Sequence, residues 1–329
     1  MDSIHYVNQG AIEALGFVPG SMNLIDSRQQ EQIAKAAAPV RITAGGSCAN
    51  TLRGVAFMNS QFQGSIRCMY TGSIGYDTRG ERFESILREC HVVSRLKKNP
   101  EATGTSTILV TPDGQRTMFT QLGACRDFGI SDLHIDELRR ADVLYFTGFM
   151  WDTPNQKAAV LTAIHAAQDA GIQVIIDIAD PFVADRYRAD LLEAVREYAD
   201  YAFCNEQELR SLLQQNESSR EDLFLAAAEI PVTWLVKVGA EGCFVIEQRY
   251  KARYFPAISV APVDTTGAGD AFAAGFLFRY LNGRDVDEAA AAANRLAAAI
   301  VQIEGCVYTD IPDATLRGFP ESIGDQSAE

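Results

Sequence analysis

The chain has 329 residues, 47% of them hydrophobic and 22% charged, which is ordinary globular usage and excludes disorder and low-complexity architectures. A formal net charge of −14 repels phosphate backbones and anionic lipid headgroups, so neither nucleic acid nor a membrane surface is an expected partner. No apolar run reaches the roughly 20 residues that cross a bilayer, and the start, Met1 to Tyr6, has no basic stretch followed by an apolar core. Seven scattered cysteines (Cys48, Cys68, Cys90, Cys125, Cys204, Cys243, Cys306) with no CxxC pair indicate reduced thiols in a cytoplasmic compartment. Four histidines, none sharing a helix turn, give no histidine metal site.

In chain order, Ser21–Ile25 and Arg41–Ala44 are short strand candidates, and Thr105–Thr111 and Arg116–Thr120 flank the turn Pro112-Asp113-Gly114-Gln115. A lone hairpin is marginal in water, so the first two segments are expected to pair with it as a small sheet projecting from the body, either a lid or a decoration. From Ala141 onward short apolar runs alternate with helical stretches, the pattern of a parallel sheet with crossover helices. Ala141–Gly148, Gln173–Ile178, Tyr201–Cys204, Trp234–Val238 and Cys243–Ile246 read as strands, the last two joined by Gly239-Ala240-Glu241-Gly242. Ala268–Leu281 and Val286–Ile303 read as two Ala-rich helices, and residues after Gly318 as a frayed tail.

The most informative stretch is Asp264-Thr265-Thr266-Gly267-Ala268-Gly269-Asp270, a polar two-glycine loop feeding into a helix. Small residues let a ligand approach the backbone, and the first helical turn offers unpaired N–H groups at the positive end of the dipole, an anion cradle. Asp270 places a carboxylate in the same turn. That suits a site which moves phosphate onto a hydroxyl, because the hydroxyl must lose its proton as it attacks; the plainer alternative is that Asp270 caps its helix.

This segment resembles the signature of the ribokinase-like sugar kinases, the PfkB family. Gly45-Gly46-Ser47-Cys48-Ala49-Asn50 matches the family's Gly-Gly…Asn motif, and Asn205-Glu206-Gln207-Glu208 its N-x-x-E motif, all in the family's order. The resemblance implies an α/β fold with a mostly parallel sheet flanked by helices and a small β lid. The core would comprise residues 45–101 and 123–329, with 1–44 and 102–122 contributing the lid. It also implies an enzyme that uses ATP and Mg²⁺ to phosphorylate a small-molecule sugar or nucleoside at a hydroxymethyl group. Asp270 would be the base, and the backbone of Gly267, Ala268 and Gly269 the anion hole. Asn205 and Glu208 would organise Mg²⁺, largely through water. Gly239 and Gly242 match the glycine pair of the nucleotide pocket, Asn294 a residue near the nucleotide base, or a plain helix-surface amide. Lys237 stands where the family usually has Thr and is assigned to the same nucleotide site. Asp264, with the backbone of Thr266, matches a monovalent-cation site, which would bring in K⁺.

On the acceptor side Gly45, Gly46 and Asn50 would meet the substrate's hydroxyls. The segment Gly114–Cys125 is similar to the lid of adenosine kinases, in which Arg116 would hold the phosphate during transfer; a solvated hairpin arginine is the alternative. Gly20–Asp26 and Asp180-Pro181-Phe182 also resemble the adenosine-kinase-like branch, while ribose-like and fructose-like acceptors stay open. The exposed lid face would suit a homodimer. One departure stands out: the family's apolar first strand has no counterpart before Gly10. Asp2, directly after Met1, falls where that strand's hydroxyl-gripping Asp would lie, and the expectation is a chain that starts at an internal methionine without its first core strand. A nicotinamide oxidoreductase fails because Phe272 occupies the third glycine position of G-x-G-x-x-G, and neither G-K-[ST] nor H-R-D occurs. A non-catalytic nucleotide- or sugar-binding protein on the same fold is the remaining alternative.

Overall fold

A computed structural model describes residues 1–17, 22–34, 38–112, 116–249, 252–283, 285–316 and 319. The turn residues Asp113-Gly114-Gln115, Gly20-Ser21 and the tail from 320 lie outside these described residues. The strands, in order, are β1 (Asp2–Tyr6), β2 (Met22–Leu24), β3 (Arg41–Thr43), β4 (Met69–Gly75), β5 (Val93–Asn99), β6 (Thr105–Val110), β7 (Arg116–Gln121), β8 (Val143–Thr147), β9 (Gln173–Asp177), β10 (Tyr201–Asn205), β11 (Thr233–Lys237), β12 (Gly242–Ile246) and β13 (Arg253–Pro256).

The core sheet runs β13-β12-β11-β10-β9-β8. Strands β8 to β11 are parallel, and β12 and β13 add antiparallel strands at one edge. Val174, Ile175 and Ile176, then Ala202, Phe203 and Cys204, are all buried, as expected of strands covered on both faces. One face carries the helices Pro154–Asp169, Arg188–Tyr198 and Glu206–Leu213; the other carries Ser47–Phe62, Ala268–Gly283 and Val286–Ile300. Ser47–Phe62 and Ala268–Gly283 cross closely because Gly54 has no side chain: a Cβ there would lie 2.5 Å from that of Ala274. A separate parallel pair, β4-β5, flanks this body. Among the described residues, β8 and β4 each pair with one strand, so the core comprises two sheets.

The second, five-stranded sheet runs β2-β7-β6-β1-β3. Its hairpin β6-β7 falls where the alternation of Thr105–Thr111 and Arg116–Thr120 placed it. Its third partner was not expected: Asp2–Tyr6 lies parallel to β6 and antiparallel to β3, with Ile4 and His5 buried. The sequence reading gave Arg41–Ala44 directly to the hairpin; instead β1 intervenes, satisfying the edge that β6 would otherwise leave open. The helix Ala268–Gly283 runs two residues past the expected Leu281, and Val286–Ile300 stops three short of Ile303, both ordinary end effects.

Candidate active site

Four neighbouring parallel strands end on polar residues: Thr147, Asp177, Asn205 and Lys237. Ligands on open α/β sheets bind outside these carboxyl ends, and the loop Asp264–Gly267 delivers its helix to the same place. Gly267 has φ +76°, and a Cβ on it would lie 2.5 Å from Cys306 Sγ, so glycine is required twice over. The first helical bond runs from the Ala271 N–H to the Gly267 carbonyl at 2.8 Å. The N–H groups of Ala268, Gly269 and Asp270 therefore precede the ladder. Ala268 donates at 3.2 Å to the Thr265 carbonyl, tightening the loop that carries the sequence-assigned Gly267, Ala268 and Gly269.

Asp270 is clasped by the helix Ser47–Phe62. The Ser47 hydroxyl donates to Oδ1 at 2.6 Å and the Asn50 amide to Oδ2 at 2.9 Å. Burial pushes the Asp270 carboxyl up, against these two hydrogen bonds and with the charge of Asp177, to about 6. It remains a carboxylate at neutral pH while being far more basic than an exposed aspartate. Asn50 is 4% exposed and its Oδ1 accepts from Arg53 Nη1 at 3.0 Å. The residue read from sequence as a substrate contact thus bonds the Asp270 carboxylate. Ser47, Arg53 and Asp177 were missed by the sequence reading. Ser47 lay inside a quoted motif, and Asp177 closes an apolar strand, a signal that could have found it.

The helix Ser47–Phe62 begins after Gly46, φ +95°, and Gly45 lies against Asp2: a Cβ on Gly45 would fall 1.9 Å from Asp2 Oδ1. Burial raises the Asp2 carboxyl, with the terminal ammonium and Arg53 acting against that. Of the sequence-assigned acceptor residues, Asn50 bonds Asp270, and Asp2 lies against Gly45, which with Gly46 leads into the same helix.

On the other side Lys237 Nζ stands 3.3 and 3.4 Å from the Asp177 oxygens and would be 3.5 Å from a Cβ on Gly269, so its ammonium overlooks the cradle. Burial acts to lower its pKa, but Asp177 and Glu208 outweigh this and raise it. Asn205 and Glu208 close on each other as a capping box. Asn205 Oδ1 accepts the Glu208 N–H at 2.7 Å, and the Glu208 carboxylate accepts the Asn205 N–H at 2.8 Å and its amide at 2.7 Å. Burial still lifts Glu208 to about 7, with Lys237 opposing and Asp177 adding. Among the described residues no group of three His, Cys, Asp or Glu side chains could hold a metal ion.

Gly242, φ +124°, and Asn294 meet at one carbonyl. A Cβ on Gly242 would lie 2.1 Å from the Phe255 oxygen, and the buried Asn294 amide donates to that oxygen at 2.9 Å. Gly239, φ +63°, opens the preceding turn. Gly242 and Asn294 thus meet at the β12-β13 hairpin, whereas Lys237 faces the cradle. Arg116 reaches from the lid to the loop, pairing with Asp264 at 2.6 Å and with the Thr265 and Thr266 hydroxyls. No helix among the described residues is long and apolar enough to cross a membrane.

Residues 17–314 match a family described as pfkB family carbohydrate kinase. The chain is 30% identical over 281 residues to adenosine kinase of Saccharomyces cerevisiae, covering 82% of this chain and 80% of the yeast protein. The crystal structure of adenosine kinase from Sinorhizobium meliloti superposes with a TM-score of 0.85 at 32% identity, over 93% of this chain and 92% of that one. A probable sugar kinase from Rhizobium etli superposes with a TM-score of 0.86, also at 32% identity, over 93% and 91% of the two chains.

Proposed function

The chain belongs to the pfkB family of carbohydrate kinases, and we propose that it phosphorylates the hydroxymethyl group of a nucleoside, adenosine-like, with Asp270 as the base. It is an ATP-dependent kinase of nucleosides or sugars with the ribokinase-like α/β fold. The observation that carries the finer reading is a half-buried carboxylate in the first turn of a helix, fixed by Ser47 and Asn50 beside the amides of Gly269 and Asp270.

The acceptor hydroxyl would lie between Asp2–Gly45 and Asp270. As its oxygen bonds to the terminal phosphorus of ATP, the bond to the bridging oxygen breaks, the proton passes to the Asp270 carboxylate and ADP leaves. Orientation counts for more than basicity in so loose a transition state. The cradle amides and the Lys237 ammonium face the charge on the moving phosphoryl group. Gly239, Gly242 and Asn294 would shape the wall for the nucleotide. Lys237 pairs with Asp177, and burial is the main cause of the raised Glu208 carboxyl, with the negative charge of Asp177 adding to it. Asn205 and Glu208 would hold Mg²⁺ through its water shell, as fits an ion that dehydrates reluctantly, and the chemistry it would supply is neutralisation of phosphate charge.

The test is ADP release from Mg-ATP with adenosine, other nucleosides, ribose and fructose, each with the parent chain and Asp270→Asn. Adenosine is expected to be turned over fastest and kcat of the variant to fall by about 10²–10⁴ on every acceptor. Unchanged phosphotransfer by Asp270→Asn would refute the base, and a preference for ribose or fructose would refute the nucleoside.

A further inference from the structure

We infer that Arg53 is a positioning residue of the phosphotransfer site: its guanidinium locks the Asn50 amide onto the Asp270 carboxylate and ties the acceptor loop to the loop behind the anion cradle. The inference rests on the reading of Asp270 as the base.

Arg53 lies in the helix Ser47–Phe62 and is 4% exposed. Its hydrogen bonds among the described residues go to neutral oxygens. Nη1 donates to the Ala44 carbonyl and to Asn50 Oδ1, both at 3.0 Å, and Nη2 to the Cys306 carbonyl at 2.9 Å; Nε has no partner. A guanidinium buried without a paired carboxylate is costly, and a side chain needed only for packing there would be apolar.

The three acceptors explain the charge. An amide has a donor end and an acceptor end. With Oδ1 drawn to Arg53, Asn50 must present its NH₂ to Asp270; turned over, it would set an oxygen against the carboxylate and hydrogens against the guanidinium. Ala44 leads into Gly45, against which Asp2 packs, and Cys306 supplies the sulfur that backs Gly267. One cation therefore joins the acceptor loop, the clasp on the base and the support of the cradle. Its charge also favours the ionised form of Asp2. Asp270 is faced by Ser47, Cys48 and Asn50 from that helix, Tyr145 from β8, Asp177 from β9, Lys237 from β11, and Cys306 and Tyr308 from the segment after Gly305. Arg53 acts on it through Asn50.

The experiment compares the full chain with Arg53→Met, Arg53→Lys, Asn50→Ala and the double variant Asn50→Ala/Arg53→Met, measuring kcat, acceptor KM, the acid limb of kcat against pH, and thermal midpoint. Arg53→Met should lower kcat on the order of 100-fold, the scale of a misplaced catalytic group, and move the acid limb to higher pH. Arg53→Lys keeps one donor for Asn50 Oδ1 without the fork, so its limb should stay near the parent's while kcat falls roughly tenfold. In the Asn50→Ala background Arg53→Met should cost much less than in the parent. The inference is overturned if the Arg53 variants change only the thermal midpoint, or if the two substitutions add. Should Arg53→Met fail to fold, Arg53→Lys decides alone, and parental kcat in it overturns the inference. Asp270→Asn run alongside separates the two ideas: near-parental kcat there sinks the base, whereas the expected large loss in Asp270→Asn with unaffected Arg53 variants sinks only the role of Arg53.

Discussion

Arg116 and Asp264, 148 positions apart, form an ion pair of 2.6 Å that joins the lid to the loop before the cradle. Asp264 also accepts the N–H groups of Thr266 and Gly305, each at 2.8 Å, so one carboxylate organises three segments. The resemblance gave Asp264 to a monovalent cation and Arg116 to the phosphate; here the guanidinium stands at the carboxylate itself. Exchanging K⁺ for a bulky organic cation is therefore expected to leave the rate of the parent kinase unchanged, whereas Arg116→Ala, which frees Asp264, should become K⁺-responsive. Initial rates in the two salts check this, and strong K⁺ activation of the parent chain would contradict it.

Asp270 carries its own pH signature. Its carboxyl is raised to about 6 in the folded chain, so kcat/KM should fall with an acid limb near that value. The folded state binds the proton more tightly than the unfolded one, so the stability linked to this group is highest in acid. It declines as pH rises from about 4 to about 6 and stays lost above that. Asp270→Asn should thus lower kcat by about 10²–10⁴ while raising stability at neutral pH by up to about 3 kcal/mol. A denaturant titration beside the kinetic assay reads both, and a less stable variant would show that the carboxylate's hydrogen bonds outweigh its burial.

Gly45→Ala drives a methyl group into the Asp2 carboxylate. Acceptor KM is expected to rise at least tenfold with the KM for ATP unaltered. Adding Asp2→Ala should recover the thermal midpoint lost to the clash without recovering KM. Loss of ATP affinity instead would place Asp2 on the nucleotide side.

Lys237 and Asp177 form a largely buried pair, 16% and 2% exposed at their side chains. Removing one partner strands the other, so Lys237→Met should destabilise the chain by about 3–5 kcal/mol. Lys237→Met/Asp177→Asn should restore much of that stability without restoring kcat. Equal stability of the single and double variants, measured by denaturant midpoint, would mean the pair is solvated rather than buried.

The chain order of residues determined a good deal. Val174–Ile176 and Phe203–Cys204 are apolar without alternation, which already specifies parallel strands covered on both faces, and Gly267 with Asp270 specifies a cradle with an acid in it, because backbone freedom and helix periodicity are local properties. What partner each polar group takes is not local. Asn50 and Asp270 are separated by 220 positions, and nothing in either segment says that the amide will face the carboxylate, or that Arg53 will turn it there. Likewise β1, five residues with little apolar signal, becomes an interior strand of the lid only because β3 and β6 flank it. Tertiary structure decided these points, since burial removes water as the alternative partner and leaves each donor and acceptor only the neighbours that packing supplies.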